Sequence, residues 1–288
     1  MSNVVAGRGQ LSRELRRARI VRGVLTVVLT LIAAAMVYPV LWMVLFSFKD
    51  NPEIFRGAFF PARLRWENYA VAWQYAKLGR AFVNSIAITL LTIVFSLSLS
   101  LMVSYAVTRL QWKWSRAVYV FCLLGLYIPI HAALLPLMLA MKAVKLLGTY
   151  WALVLPYTAF NMSFCIMVFS GFLESIPRDL EEAAAIDGSS IFRTFLTIIA
   201  PLIAPAISVL VIFVFMSAYN EFLMALVLIT KASLKTINLS ISGLFGQYNT
   251  KLGVVGAALT LTIVPIVIVY ILASSKVQEG LTGAAIKG

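Results

Sequence analysis

Six stretches of this 288-residue chain each run for more than twenty residues with almost no charge, and that repetition limits what the chain can fold into. They are Gly23–Phe48, Ala81–Thr108, Ala117–Met141, Leu146–Leu173, Thr194–Thr230 (interrupted by Glu221) and Leu252–Ser275. A helix needs about 20 largely apolar residues to cross a hydrocarbon core of roughly 30 Å. The expected fold is therefore all-α, a polytopic membrane protein with six transmembrane helices. Composition agrees: 61% of residues are hydrophobic and 12% charged, too little polar surface for a soluble domain of this size.

The formal net charge of +13 would suggest nucleic acid in a soluble protein. Here the cations sit between apolar runs, where lipid headgroups and topology account for them, and no basic groove or aromatic-basic motif is seen. Arg8, Arg13, Arg16, Arg17, Arg19 and Arg22 precede the first run and mark a cytoplasmic flank. Six spans then put both termini in the cytoplasm, along with the loop holding Arg109, Lys113 and Arg116. The outer segment Lys49–Arg80 runs against that count, with Lys49, Arg56, Arg63, Arg65, Lys77 and Arg80. Its "FFPARLRWENYAVAW" mixes Trp66, Tyr69 and Trp73 with charges, which suits a segment at the outer interface or a contact for an outside partner. The first run is longer than a signal-peptide core and lacks a cleavage site, so it is read as the first span. The organisation read from the chain is a basic arm at 1–22, a six-span body at 23–275 that includes the polar loop 174–200, and a tail at 276–288.

The polar interruption at 174–200 is the informative one. Ser175 can cap a short helix with Pro177 in its first turn and Asp179, Glu181 and Glu182 near its positive end. Ala183, Ala184 and Ala185 propagate it, and Asp187–Gly188 ends it, because glycine tolerates the left-handed backbone past a helix end. Ser189 or Ser190 can cap a second helix, and Pro201 and Pro205 break or kink the return to the membrane. The result is a helix–turn–helix knob with one apolar face (Ala184, Ile186, Ile191, Phe195) and one acidic face. Carboxylates outnumber Arg178 and Arg193 there, which anionic lipid would not favour, so a protein partner explains the knob better than an interfacial hairpin.

Glu182-Ala183-Ala184, three residues, Gly188, nine residues, Ile198, one residue, then Ala200-Pro201 resembles the EAA motif of ABC importer permeases. The departure is Ala200, where that motif has Leu. "NSIAITLLT" at Asn84–Thr92, "SYAVTRLQWKW" at Ser104–Trp114, "AYNEFLMAL" at Ala218–Leu226 and "GLTGAAIKG" at Gly280–Gly288 are similar to the maltose-type, carbohydrate-importing branch. The resemblance implies a type I importer fold in an inner membrane. It implies a knob that acts as a coupling helix, docked into a cytoplasmic ATP-binding cassette ATPase dimer through Glu181, Glu182, Ala183, Ala184, Asp187 and Gly188. It implies a second, homologous permease subunit, an extracytoplasmic solute-binding protein, and ATP and Mg held by the ATPase rather than by this chain.

No phosphate-binding glycine loop of the GxxxxGK[ST] kind occurs, and no catalytic or metal-binding constellation is expected. Cys122 and Cys165 lie in apolar runs without CxxC spacing and read as small hydrophobes, and the lone His131 as a pore-lining or packing residue. Tyr157, Asn161 and Ser163 in the fourth run, and Asn220 and Glu221 in the fifth, are the candidate solute-path residues. Buried polar groups in a membrane face either a cavity or another helix, and both readings stay open for these five. An ion-coupled secondary transporter and a scaffold for another cytoplasmic protein are the alternatives. The first shows no internal repeat and has no need of an acidic docking knob, and the second holds only if the knob binds something other than an ATPase.

Overall fold

The computed structural model describes residues 2–110, 112–245 and 251–285, with side chains described for 19–110, 112–245 and 251–272. Most of the basic arm and the end of the C-terminal tail therefore lie outside the described side chains. Among the described residues the secondary structure is helical throughout: α1 (Ser2–Ser47), α2 (Asn51–Phe55), α3 (Glu67–Tyr75), α4 (Leu78–Arg109), α5 (Ser115–Leu124), α6 (Leu134–Ala143) and α7 (Trp151–Glu174). The chain continues with α8 (Asp179–Ile186), α9 (Ile191–Thr194), a π-helical turn at Phe195–Ile199, α10 (Ala200–Leu202), α11 (Ala204–Asn220), α12 (Leu223–Leu228), α13 (Ile237–Ser242) and α14 (Leu252–Ala285).

Among the described residues, four helices are long and apolar enough to span a membrane: Arg19–Ser47, α4, α7 and Leu252–Leu272. A fifth span forms if Ile191–Leu202 and α11 are taken together across their 74° bend. The expected six spans meet two breaks, each with a local cause, the second at the Glu221 interruption already visible in the sequence. The third run breaks into α5, a 3-10 turn at Gly125–Tyr127, and α6. Ile128, which precedes Pro129, takes an extended backbone (ψ 113°), as the proline ring requires of its neighbour. The fifth run breaks at Glu221, which is extended (ψ 135°) between α11 and α12.

The chain divides into two compact units. The first comprises Met1–Tyr69 and Lys251–Thr260. Here three of the cations that disturb the charge count are consumed locally. The buried Lys49 ammonium donates to Ala58 O and Phe59 O, Arg65 pairs with Asp50, and Arg63 with Glu67. Asp50 and Glu53 form a reciprocal capping box on α2. Phe48 packs edge-on against Trp66, and Asn68 donates to Ser47 O and Lys49 O.

The second unit, Ala70–Thr250 with Leu261–Gly288, is built on α4, α7 and α11. Ser96, Ser100 and Ser104 recur every four residues on α4 and are fully buried. Small side chains at that spacing let helix backbones approach. Ser100 and Ser104 also donate across to Met162 O and Ile166 O of α7. Two apolar clusters fill this bundle. One gathers Leu97, Phe169, Leu173, Ile199, Ile203 and Leu210 toward the α8 end. The other gathers Ile88, Leu153, Tyr157, Met224, Leu228 and Leu239 toward the opposite end.

Candidate functional site

The knob forms where the sequence places it, with differences at its start. Ser175 does not cap α8. Its hydroxyl donates back to Phe172 O at the end of α7, and α8 begins at Asp179 with no side-chain cap. Pro177 accordingly precedes the helix. Asp179, Glu181 and Glu182 occupy its first turn, where the helix dipole favours negative charge.

The end of α8 matches expectation closely. Gly188 has φ +78°, Gly188 N–H donates to Ala185 O, and Ser189 N–H donates to Ala184 O. That pair of bonds is a Schellman closure, which needs the left-handed backbone glycine supplies. Ser190 caps α9 by accepting from Arg193 N, while Thr194 donates to Ser189 Oγ across the turn. The knob is therefore a closed, bonded corner.

Its faces divide differently from the simple apolar–acidic split. Ala184 is buried against the chain's own bundle, while Ile186 and Ile191 are exposed, Ile186 at 87%. Glu181 turns inward as well, leaving Glu182, Ala183, Ile186, Asp187 and Gly188 as the outward surface.

A residue read from the sequence only as a loop cation sits beneath this corner. Arg109, the last residue of α4, has only 4% of its side chain exposed. Its Nη2 donates to Leu173 O and, at 2.8 Å, to Ile176 O, where the carbonyls of α7 run out. Its Nε lies 3.4 Å from Glu181 Oε1. Nearby, Arg178 donates to Thr108 O, and the Tyr105 ring packs against Phe195 at 4.9 Å between centroids. In the sequence Arg109 counted only as a cytoplasmic-side cation with Lys113 and Arg116 and as part of the Ser104–Trp114 stretch, with no sign of its partners.

Four of the five candidate solute-path residues come together, and Ser163 stands apart. Tyr157 donates to Glu221 Oε2 at 2.6 Å, and Asn161 donates to Tyr157 O. Glu221 also accepts from the Met224 and Ala225 N–H groups, so it caps α12 with its side chain. Asn220 is exposed and donates to Met216 O in its own helix. Ser163 is buried and faces Gly125, where a Cβ would stand 2.2 Å from its Oγ. The Tyr157–Glu221 bond thus joins two helices, with the half-buried Asn161 bonded to Tyr157 O and the exposed Asn220 next to Glu221 in the chain.

A family described as the binding-protein-dependent transport system inner membrane component matches residues 100–278, more than half of the chain. The chain belongs to this family. As a binding-protein-dependent inner membrane component, it is a multi-pass membrane protein of a transport system. The trehalose transport system permease protein SugB of Mycobacterium tuberculosis is 31% identical over 261 residues, covering 90% of this chain and 95% of that one. The diacetylchitobiose uptake system permease protein NgcG of Streptomyces coelicolor is 31% identical over 245 residues, covering 84% and 81%. Among solved structures, a bacterial ABC transporter involved in the import of the acidic polysaccharide alginate superposes with a TM-score of 0.78 at 22% identity. That alignment covers 89% of this chain and 96% of the other, so the two share a fold.

Proposed function

We propose that this chain is the permease subunit of an ATP-driven, binding-protein-dependent importer of a sugar or sugar-like solute. It forms half of the translocation pore beside a second permease, with both termini in the cytoplasm. ATP and Mg are bound by a separate ATPase dimer, and the solute is delivered by an extracytoplasmic binding protein. The observation that carries the coupling part is the α8–α9 corner. It is closed by its own backbone bonds yet presents Glu182, Ala183, Ile186, Asp187 and Gly188 outward. Relatives whose names specify trehalose and diacetylchitobiose support the sugar assignment.

The mechanism follows from stiffness. Closure of the ATPase dimer moves the seated corner as a rigid body, and the helices continuous with it turn the cavity between its two openings. Binding energy from the partner can shift that equilibrium only as far as the corner transmits it. Affinity purification of the tagged chain from its native membrane, with mass spectrometry of co-purifying proteins and sugar uptake in proteoliposomes, tests the reading. Recovery of an ATPase subunit and a second permease with ATP-dependent uptake is expected. Uptake that needs no ATP, by the chain alone, would overturn it.

A further inference from the structure

The geometry points to Arg109 as the joint on which the coupling corner is mounted, a positioning residue that ties α8 to the ends of α4 and α7 at once. The inference rests on the importer reading and adds to it the route by which a push on α8 reaches the membrane body. One guanidinium serves three elements. It is carried by the last turn of α4, its Nη2 is bonded to Leu173 O and Ile176 O, and its Nε faces Glu181 in the first turn of α8. Arginine suits the task because its planar fork of donors is fixed in shape and always charged. The carbonyls it holds lie at the negative end of α7, where a cation is favoured.

Two features mark this as more than a surface ion pair. Burial is nearly complete, with 4% of the Arg109 and 19% of the Glu181 side chain exposed, so the pair is little screened. The pair is also incompletely made. Arg109 Nε and Glu181 Oε1 are buried without a hydrogen bond, 3.4 Å apart. Between α7 and α8 the backbone passes only through Ser175–Arg178, a linker too short to fold independently and not helical throughout. Without Arg109, α8 would be tied to the ends of α4 and α7 only by that linker, the exposed Arg178 bond to Thr108 O, the light packing of Ala184 and its turn into α9. A force on the corner would then bend the linker instead of moving α4 and α7.

The experiment uses the assembled complex in proteoliposomes, with solute transported per ATP hydrolysed as the readout. Arg109→Gln is expected to lower transport per ATP about tenfold, a coupling loss of the usual size, while the ATPase still co-purifies through the untouched outward face. Arg109→Lys should recover part of the loss, since it keeps the charge without the fork. Glu181→Gln should act in the same direction, and the double variant should be no worse than Arg109→Gln alone, as expected of partners in one network. Unchanged transport per ATP in Arg109→Gln, or losses that simply add in the double variant, would overturn the joint. Should Arg109→Gln fail to assemble, Glu181→Gln, which leaves both carbonyl bonds in place, decides alone: normal coupling there sinks the proposal. A wild-type complex without ATP-driven uptake would instead sink the importer reading, so the two failures are distinct.

Discussion

Tyr157 on α7 donates its phenolic hydrogen to Glu221 Oε2 at 2.6 Å, joining two helices at the point where the fifth apolar run breaks. The same carboxylate receives the Met224 and Ala225 N–H groups, so one acidic side chain closes a helix start and an inter-helix contact together. An unsatisfied backbone donor inside a membrane costs several kcal/mol, which explains a carboxylate at that depth. Tyr157→Phe should lower stability by about 1.5–3 kcal/mol, the range for a hydrogen bond to a charged group. Thermal unfolding of the purified complex checks this. Were Glu221 a solute ligand instead, Glu221→Gln would raise KM for uptake and leave the melting temperature unchanged.

At Gly188 the expected effect is conformational. A Cβ there meets nothing within 4 Å, so crowding is not the obstacle; φ +78° is. Gly188→Val should cost on the order of 1–2 kcal/mol at the corner and reduce transport per ATP. Gly188→Asn, which tolerates a left-handed backbone, should retain most of the coupling. Equal behaviour of the two variants in the reconstituted transport assay would count against the closure as the reason for glycine.

Ser100 is fully buried where α4 crosses α7 and bonds to Met162 O. Ser100→Leu forces a large side chain into a close helix crossing, and overpacking of this kind costs about 1–3 kcal/mol. Ser100→Ala should be nearly neutral, because packing outweighs a 3.3 Å bond. Paired unfolding curves for the two variants give the comparison.

Asn84 is buried at 3% exposure and occupied at both ends of its amide. It donates to Ser233 O and Lys235 O, 149 and 151 residues away, and accepts from Tyr150 Oη. Asn84→Leu leaves three polar groups without their partner, and each such loss is worth about 1–3 kcal/mol. Reduced accumulation in the membrane and faster proteolysis of the 231–236 loop are the expected results, seen by blotting after limited digestion.

Features set by neighbouring residues were legible in the sequence. The Gly188 turn, the Ser190 cap and the break near Pro201 and Pro205 each depend on a few adjacent positions. The same locality misled at Ser175, which has the right identity for a cap but spends its hydroxyl on Phe172 O. Apolar length located the helices and Glu221 marked the interruption of the fifth run, but the break at Ile128, where proline geometry overrides hydropathy, was missed. Glu181 and Ala184 were both read among the docking residues. Their inward placement depends on Arg109 and on the bundle, which no local pattern reveals. The bonds of Asn84 and Tyr157 are illegible for the same reason, since their partners lie far along the chain.

The wide turn at Phe195–Ile199 gives the fixed spacing of the motif a geometric meaning. A π-helical turn accommodates one residue more than the α-helical turn it replaces. Each residue of an α-helix advances by about 100° around the axis. The nine positions between Gly188 and Ile198 are thus a phase setting as well as a length. Removing one residue there would rotate everything that follows by about a quarter-turn. Ile199 and Ile203, now fully buried, would swing away from α4 and α7, and the exposed Leu196 and Leu202 would move relative to the core in their place. The chain can change its side chains along this stretch far more freely than it can change their number.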